Sequence, residues 1–489
     1  MQQKGFLIVT KKLNELTIIE ALKGLKAKEF TSVDLTRACF DQIEKYDGVI
    51  NAYVTLVKEN ALNDAEKADL LINSHGPEIF DEKPLLGIPY ACKDNYSTKG
   101  IETTASSNIL KDYFPPFEST VTQKLKDAGA ILLGKTNLDA FAHGASTENS
   151  DFYTTKNPWD PTKVPGGSSG GSGAAVISDM CVFAMGSDTG GSIRCPASWC
   201  GVTGLKPTYG RVSRYGLAAM ASSTDCPGPM TKTVEDAAYV LQVIAGKDVH
   251  DATSAPERVP DYKKSITEFD IKKLKVGRPH SYFDIGMQPG VAEKVNAAVE
   301  TFKKLGATIV DIDLIDPKYA IAVYTIIQRS EVSSNLARLD GIRYGHTRDA
   351  FGFEAKKRIM LGTYALSAGY YDQYYAKAQK VRTLLIEDFN KAFDKVDLII
   401  GPTMPNVAVP IGSVNSSPIF GELTDMMQLP GSMSGLPVIA IPCGQSDNLP
   451  VGVQLIGQKF NESVVFGAAA AFQQATTYHV VKPNLEELL

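Results

Sequence analysis

From Leu85 onward the chain repeats one device: an apolar run of about five residues that breaks at Gly, Pro or Asp and gives way to a helical segment. The instances are LLGIPYACKDN, AILLGKT, CVFAMGSDT, LKVGR, ATIVDID, DLIIGPT and LPVIAIPCG. Short runs without polar alternation suit strands buried on both faces. Strands that recur between helices predict an α/β fold, with a mixed and mostly buried β-sheet covered by helices on both faces. Apolar residues make up 44% of the 489, enough for one large core, and no fixed-period repeat or long low-complexity linker divides them. One domain over residues 1–489 is therefore expected, with its functional core at about 85–235 and a helical segment at 1–75 packed on it. The polar stretch from Asp251 to Phe269 is expected to cross the surface between the two sheet-rich halves.

In that helical segment Leu16, Ile19, Leu22 and Leu25 are expected to line one buried face. Val33, Leu35, Cys39, Phe40 and Ile43 line another, after Thr31 and Ser32 as cap candidates.

Bulk properties exclude several classes. Fifty basic against fifty-five acidic side chains give a formal charge of −5, with no cationic stripe for a phosphate backbone. The seven cysteines are odd in number and form neither a CxxC pair nor a Cys/His cluster. A disulfide framework and a structural zinc are thus disfavoured, and reduced thiols in a cytoplasmic protein are expected. The apolar run Phe6 to Val9 is too short for a signal peptide, and no stretch of about eighteen apolar residues would cross a membrane.

GAILLGKT, from Gly129 to Thr136, matches the phosphate-loop pattern letter for letter. Its middle residues Ala130, Ile131, Leu132 and Leu133 suit a strand, not a curl of inward-facing N–H groups. TVTQKLKDAG before it reads as a helix ending at Gly129, so no strand leads into the match. A nucleotide-binding function through Lys135 is the weakest of the readings.

Residues 165–198 crowd glycine and serine around one apolar run and contain no histidine. Ser192 follows Gly190 and Gly191 and precedes IRCPASWC, so it stands at a turn opening a helix, where backbone N–H groups are unpaired. The N–H groups of Thr189, Gly190 and Gly191 could surround a tetrahedral oxyanion, worth about 3 kcal/mol per donor. A serine nucleophile also needs a base. Histidine is scarce, six in the chain, and His143 has no carboxylate partner in sequence. Lys93, after an apolar strand in GIPYACKDN, could serve if burial lowers its pKa; a lysine alone at a strand end reads as solvent-exposed.

The pattern KDN, then GGSSGGSG, then GSDTGGSIR-x-PA resembles the amidase signature family, whose device is a serine, a second serine and a lysine. Lys93, Ser168 and Ser192 stand 75 and 24 positions apart, the family's arrangement. The resemblance implies Ser192 as nucleophile, Ser168 as proton relay after a cis Gly167-Ser168 bond, Lys93 as ultimate base and Ser169 as accessory hydrogen-bond partner. Ser172 reads as a residue of the helix start.

The resemblance extends through GKTNLDAFAHGASTE, GLKPTYGRVSRYGL, SSNLARLDGIRYG, KRIMLGTYALSAGYYDQYYAKAQKVRTLL and SGLPVIAIPCG. These segments are similar to the glutamine-hydrolysing subunits of tRNA-dependent amidotransferases. That implies glutamine as substrate, bound through Arg358 for the α-carboxylate and Asp425 for the α-amino group, with Tyr324 as pocket wall. It implies no cofactor or metal in this chain, and B and C subunits completing a heterotrimer. In that assembly ATP and Mg2+, and mainly the mischarged tRNA, belong to a partner subunit. By residue type alone, Arg358 reads as a solvated helix residue beside Lys356 and Lys357, and Asp425 as a first-turn acid. A stand-alone amidase acting on small amides would share Ser192, Ser168 and Lys93 without needing Arg358 or Asp425. Tyr370, Tyr371, Tyr374 and Tyr375 recur at helical spacing and read as core packing or a subunit contact. Cys195, where glutamine is common in the family, and Cys226 and Pro227 in DCPGPM depart from the pattern, and a thiol so near Ser192 suggests sensitivity to oxidants.

Overall fold

The computed structural model describes residues 11–342 and 345–489; the apolar run Phe6 to Val9 and the RY of DGIRYG lie outside them. Among the described residues eleven strands form one sheet. They are β1 (Tyr53–Leu56), β2 (Pro89–Lys93), β3 (Ile131–Thr136), β4 (Phe183–Asp188), β5 (Thr203–Lys206), β6 (Cys226–Thr231), β7 (Lys275–Pro279), β8 (Thr308–Ile312), β9 (Leu398–Pro402), β10 (Val438–Ser446) and β11 (Leu449–Gly457). Their spatial order is β1-β3-β2-β4-β6-β5-β10-β11-β9-β7-β8. The sheet is mixed, as expected. β3, β2 and β4 run parallel, as do β8, β7 and β9. Antiparallel pairs join these two blocks through β6, β5, β10 and β11.

Every residue of β2, β4, β5, β6, β9 and β11 is buried, so helices and loops cover both faces. All seven apolar runs became strands: β2, β3, β4, β7, β8, β9 and β10. β6 is CPGPMT, and two prolines in a central strand contradict the usual rule. β5 pairs with β6 only at Met230 and Thr231, so Pro227 and Pro229 lie beyond that ladder.

GAILLGKT is β3, preceded by the helix Thr120–Asp127, and Gly129 turns between them at φ +84°. Lys135 is fully buried and donates to Tyr96 O at 2.7 Å and Thr103 Oγ1 at 2.9 Å, with Asp94 at 3.4 Å. Its ammonium is thereby engaged within the core, which removes the side chain a phosphate loop would need.

The first segment is helical at Ile18–Ala27, Ser32–Ile50 and Lys58–His75. Thr31 caps the second helix, accepting from Asp34 N at 3.0 Å. Leu22, Leu25, Leu35, Cys39, Phe40 and Ile43 are buried as expected. Ile19 is not, at 38% exposed, and Leu16 and Val33 are only half-buried; Ile18 and Ala21 take the buried stripe, one position away from the expected one. The stretch Asp251–Phe269 also contributes to the core: its short helix Tyr262–Thr267 buries Tyr262 completely.

The tyrosines of GYYDQYY do not form core. Tyr370, Tyr371 and Tyr374 are 37 to 46% exposed; Tyr370 stacks on Tyr374, and Tyr371 packs tilted against Tyr375. They follow the helix Phe353–Leu366, which packs closely against the helix Lys318–Leu336: a Cβ added at Gly362 would collide with the Arg329 carbonyl. That contact sets the position of Arg358 on one helix relative to Tyr324 on the other. Gly362→Ala should force the helices apart and destabilise the fold by about 1–3 kcal/mol in denaturant unfolding.

Candidate active site

β2 and β4 are parallel neighbours, with Cys92 opposite Met185. Their carboxyl ends therefore lie side by side, where parallel α/β sheets habitually place ligands. Lys93, the last residue of β2, is fully buried. Its Nζ lies 2.7 Å from Ser168 Oγ, 2.8 Å from Ser169 Oγ, 3.0 Å from Ser187 Oγ and 3.3 Å from Ser187 O. Ser187 is in turn held by Asn95 Nδ2 at 2.9 Å. Burial lowers the Lys93 pKa to about 7, although Asp139, Asp188 and Asp225 pull it back up. Solvent exposure, the reading from residue type alone, is thus overturned: the lysine is half neutral near neutrality and surrounded by hydroxyls.

Ser168 follows a cis Gly167-Ser168 peptide bond and leads into the buried helix Gly170–Ile177. In that helix Ser172 ties the first turn to the sheet through Thr136 Oγ1 at 2.7 Å and Met185 O at 3.0 Å. Ser169 N donates to Ser192 O at 3.1 Å, linking the two serine segments.

β4 ends at Asp188, and residues 189–193 turn before the helix Arg194–Cys200. Among the described residues no acceptor engages the N–H of Thr189, Gly190, Gly191 or Ser192. The loop is shaped by two residues to which sequence reasoning gave no role. Asp188 accepts from Ile193 N at 3.1 Å, and from Arg194 Nε at 3.0 Å and Nη2 at 2.9 Å. Arg194 also donates to Gly190 O at 2.8 Å, Ser432 Oγ at 2.6 Å and Gln428 O at 3.0 Å. The signal was present in GSDTGGSIR as an acid and a base bracketing the loop. Thr189 adds a third anchor, its Oγ1 donating to Asp225 at 2.7 Å. The result is an anchored loop whose N–H groups at residues 189–192 are without acceptors among the described residues, beside a serine.

Asp425 and Tyr324 face this arc. A Cβ at Gly191 would lie 2.7 Å from Asp425 Oδ1, and one at Gly190 would lie 3.0 Å from Tyr324 Cζ. A Cβ at Gly190 would be tight, and one at Gly191 would force a shift; Gly191→Ala should push the loop or Asp425 aside and lower kcat/KM about a hundredfold or more. Asp425 caps the carboxyl end of the helix Phe420–Thr424, so it is not the first-turn acid its residue type suggested. It is 5% exposed, and burial together with Asp188 raises its pKa well above the ordinary carboxylate range.

Arg358 is 4% exposed, not solvated. Burial disfavours its charge, but Glu422 and Glu354 outweigh that and raise its pKa overall. Its Nε donates to Glu354 at 2.8 Å, while Glu422 pairs with Arg329 at 2.8 Å. Arg358 thus belongs to a buried set of alternating charges, and Tyr324 lies within electrostatic reach of both Arg358 and Asp425.

His143 is buried without a partner for either ring nitrogen, and burial with the nearby Arg358 and Arg329 holds its pKa well below the usual value. Cys195 and Cys226 are buried, and burial raises both thiols, Cys226 to about 11. Protonated, enclosed thiols are poor targets for oxidants, which overturns the sensitivity suggested by their place in the sequence. No cluster of three or more His, Cys, Asp or Glu able to hold a metal occurs among the described residues. No helix among them is long and apolar enough to cross a membrane.

The model of the Amidase family matches residues 34–466. The chain is 50% identical to the A subunit of glutamyl-tRNA(Gln) amidotransferase from Desulfatibacillum aliphaticivorans, covering 97% of this chain and 100% of that one. It is also 50% identical to the same protein of Carboxydothermus hydrogenoformans, over 96% and 99%. Among solved structures, the A subunit of glutamyl-tRNA(Gln) amidotransferase from Thermotoga maritima superposes with a TM-score of 0.82 at 39% identity, covering 98% of this chain and 99% of that one. A 6-aminohexanoate cyclic dimer hydrolase superposes with a TM-score of 0.85 at 26% identity, over 97% and 99%. With the serine-lysine cluster at the strand ends and a family match across most of its length, this chain belongs to the amidase family.

Proposed function

We propose that the chain is the glutamine-hydrolysing subunit of a tRNA-dependent amidotransferase, with Ser192 as nucleophile, Ser168 as relay and Lys93 as base. The observation that carries the mechanism is the buried Lys93, poised near pH 7 at 2.7 Å from Ser168 Oγ. A neutral Lys93 accepts the Ser168 proton as Ser168 takes the proton of Ser192. Ser192 Oγ then bonds to the γ-carboxamide carbon of glutamine, and the carbonyl oxygen becomes an oxyanion facing the N–H groups of residues 189–192. The proton returns from Lys93 through Ser168 to the amide nitrogen. The C–N bond breaks, ammonia leaves, and a γ-glutamyl ester remains on Ser192. A water molecule, deprotonated by the same relay, cleaves the ester to glutamate and frees Ser192.

Ser169 serves as accessory, sharing Lys93 at 2.8 Å and so holding the ammonium stem in line. Arg358 recognises the α-carboxylate, Asp425 the α-ammonium group, and Tyr324 closes the wall above Gly190. The buried charge of Arg358 and the acceptor of Asp425 against Gly191 support an amino-acid substrate over an apolar amide. The relatives named as amidotransferase subunits support a holoenzyme in which B and C subunits complete a heterotrimer. ATP and Mg2+ would act on a partner subunit, which would also carry most of the contact with tRNA.

Ammonia release from glutamine by the chain alone and with its partner subunits tests the reading. Glutaminase activity is expected at least in the complex, and lost in Ser192→Ala. Its absence from both preparations, or hydrolysis of apolar amides with glutamine ignored, would overturn the assignment.

A further inference from the structure

Gln428 lies against the same glycine as Asp425 and has one orphaned atom. It is fully buried, and its backbone is fixed twice: its N–H donates to Asp425 O at 2.7 Å, and its carbonyl accepts from Arg194 Nη1 at 3.0 Å. The same Arg194 holds Gly190 O, so Gln428 and the nucleophile's loop hang from one guanidinium. The carboxamide Nε2 points to Met404 Sδ at 2.9 Å and lies 3.5 Å from Asp425 Oδ1. Its Oε1 has no hydrogen-bond partner among the described residues, and it lies 2.7 Å from the point where a Gly191 Cβ would stand, the distance at which Asp425 Oδ1 approaches that same point.

Two acceptor oxygens therefore converge on one place, and among the described residues the one hydrogen bond made to either is from a carboxamide N–H at the limit of range. Buried acceptors without donors are costly, and two such oxygens together call for a cationic donor with several N–H groups. A primary ammonium fits, presenting one N–H to each oxygen and its charge to the Asp425 carboxylate, whereas an apolar group would leave both unpaired.

From this convergence we infer that Gln428 is a specificity-determining residue whose Oε1 accepts, beside Asp425, a hydrogen bond from the α-ammonium group of the substrate. This rests on the glutamine reading above. Its consequence is discrimination: amides that lack an α-ammonium group leave Oε1 and the Asp425 carboxylate unsatisfied and are rejected. Asp425, whose charge burial disfavours, regains its ionised form when that cation binds.

The test compares glutamine with glutaramate, which keeps the carboxylate and the carboxamide but has no α-amine, in the complex with its partner subunits. Gln428→Leu preserves volume and removes the acceptor. The kcat/KM ratio of glutamine over glutaramate should fall about tenfold, through KM for glutamine. Gln428→Glu, which keeps an acceptor oxygen, should restore the preference. A structural role alone would depress both substrates alike, and an unchanged ratio in Gln428→Leu overturns the inference. If Gln428→Leu does not fold, failure of Gln428→Glu to keep the preference overturns it as well. Failure of the wild-type complex to release ammonia from glutamine is a different result and overturns the parent reading, and this inference with it.

Discussion

Replacing Lys93 with Met, which keeps the apolar stem and removes the amine, should lower glutamine hydrolysis roughly a thousandfold or more while substrate binding persists. The three hydroxyls around Nζ have no other base among their hydrogen-bond partners, and His143 is neutral and unattached to them. The wild-type pH dependence has a definite sign. Lys93 must be neutral to accept a proton, and with its pKa near 7 the rate should rise with pH through about 7 and level off above. Stability follows the same group. The unfolded chain carries Lys93 with an ordinary pKa of about 10.4, so between about 7 and 10.4 it binds more protons than the folded one. This group's contribution to stability therefore increases with pH across that window, and its burial costs most below pH 7. An activity profile that is flat from pH 6 to 9 would contradict the role assigned to Lys93.

Asp188→Ala should be the most destabilising of the substitutions near the site. It would leave the fully buried Arg194 without its carboxylate and free the N–H of Ile193. Orphaning a buried charge of this kind costs about 3–5 kcal/mol. Because Arg194 also fixes Gly190 and Gln428, activity should fall further than stability alone explains. Burial works against ionisation of Asp188, but Arg194 outweighs it and its pKa is lowered. Its stabilising contribution is therefore present above the ordinary carboxylate pKa and lost as pH falls through the lower folded value. Denaturant unfolding at pH 7 and under acid conditions would measure both effects; an unfolding midpoint unchanged by Asp188→Ala would count against the anchoring role.

Much of this was legible in the residues because burial on two faces demands unbroken apolar runs, and all seven such runs became strands. β5 and β6 were not legible in the same way. TGLK and CPGPMT lack that texture, and their place in the sheet depends on β4 and β10 flanking them. The stripe of the first helix was read one residue off, at Ile19 in place of Ile18, because both residues are isoleucine and only packing chooses between them. Ser168 and Lys93, which the structure brings together, were marked in the sequence by the family pattern, but the desolvation that lowers the Lys93 pKa is a property of three segments meeting. Asp188, Arg194 and Gln428 were passed over for the same reason. Their charges and amide resemble any surface residue's until the fold encloses them.

The most direct measurement is the mass of peptides from the complex quenched with acid during glutamine turnover. The account predicts a γ-glutamyl ester on Ser192, abolished in Ser192→Ala and strongly depleted in Lys93→Met. An adduct on another residue, Cys195 for instance, or full accumulation on Ser192 without Lys93, would contradict it.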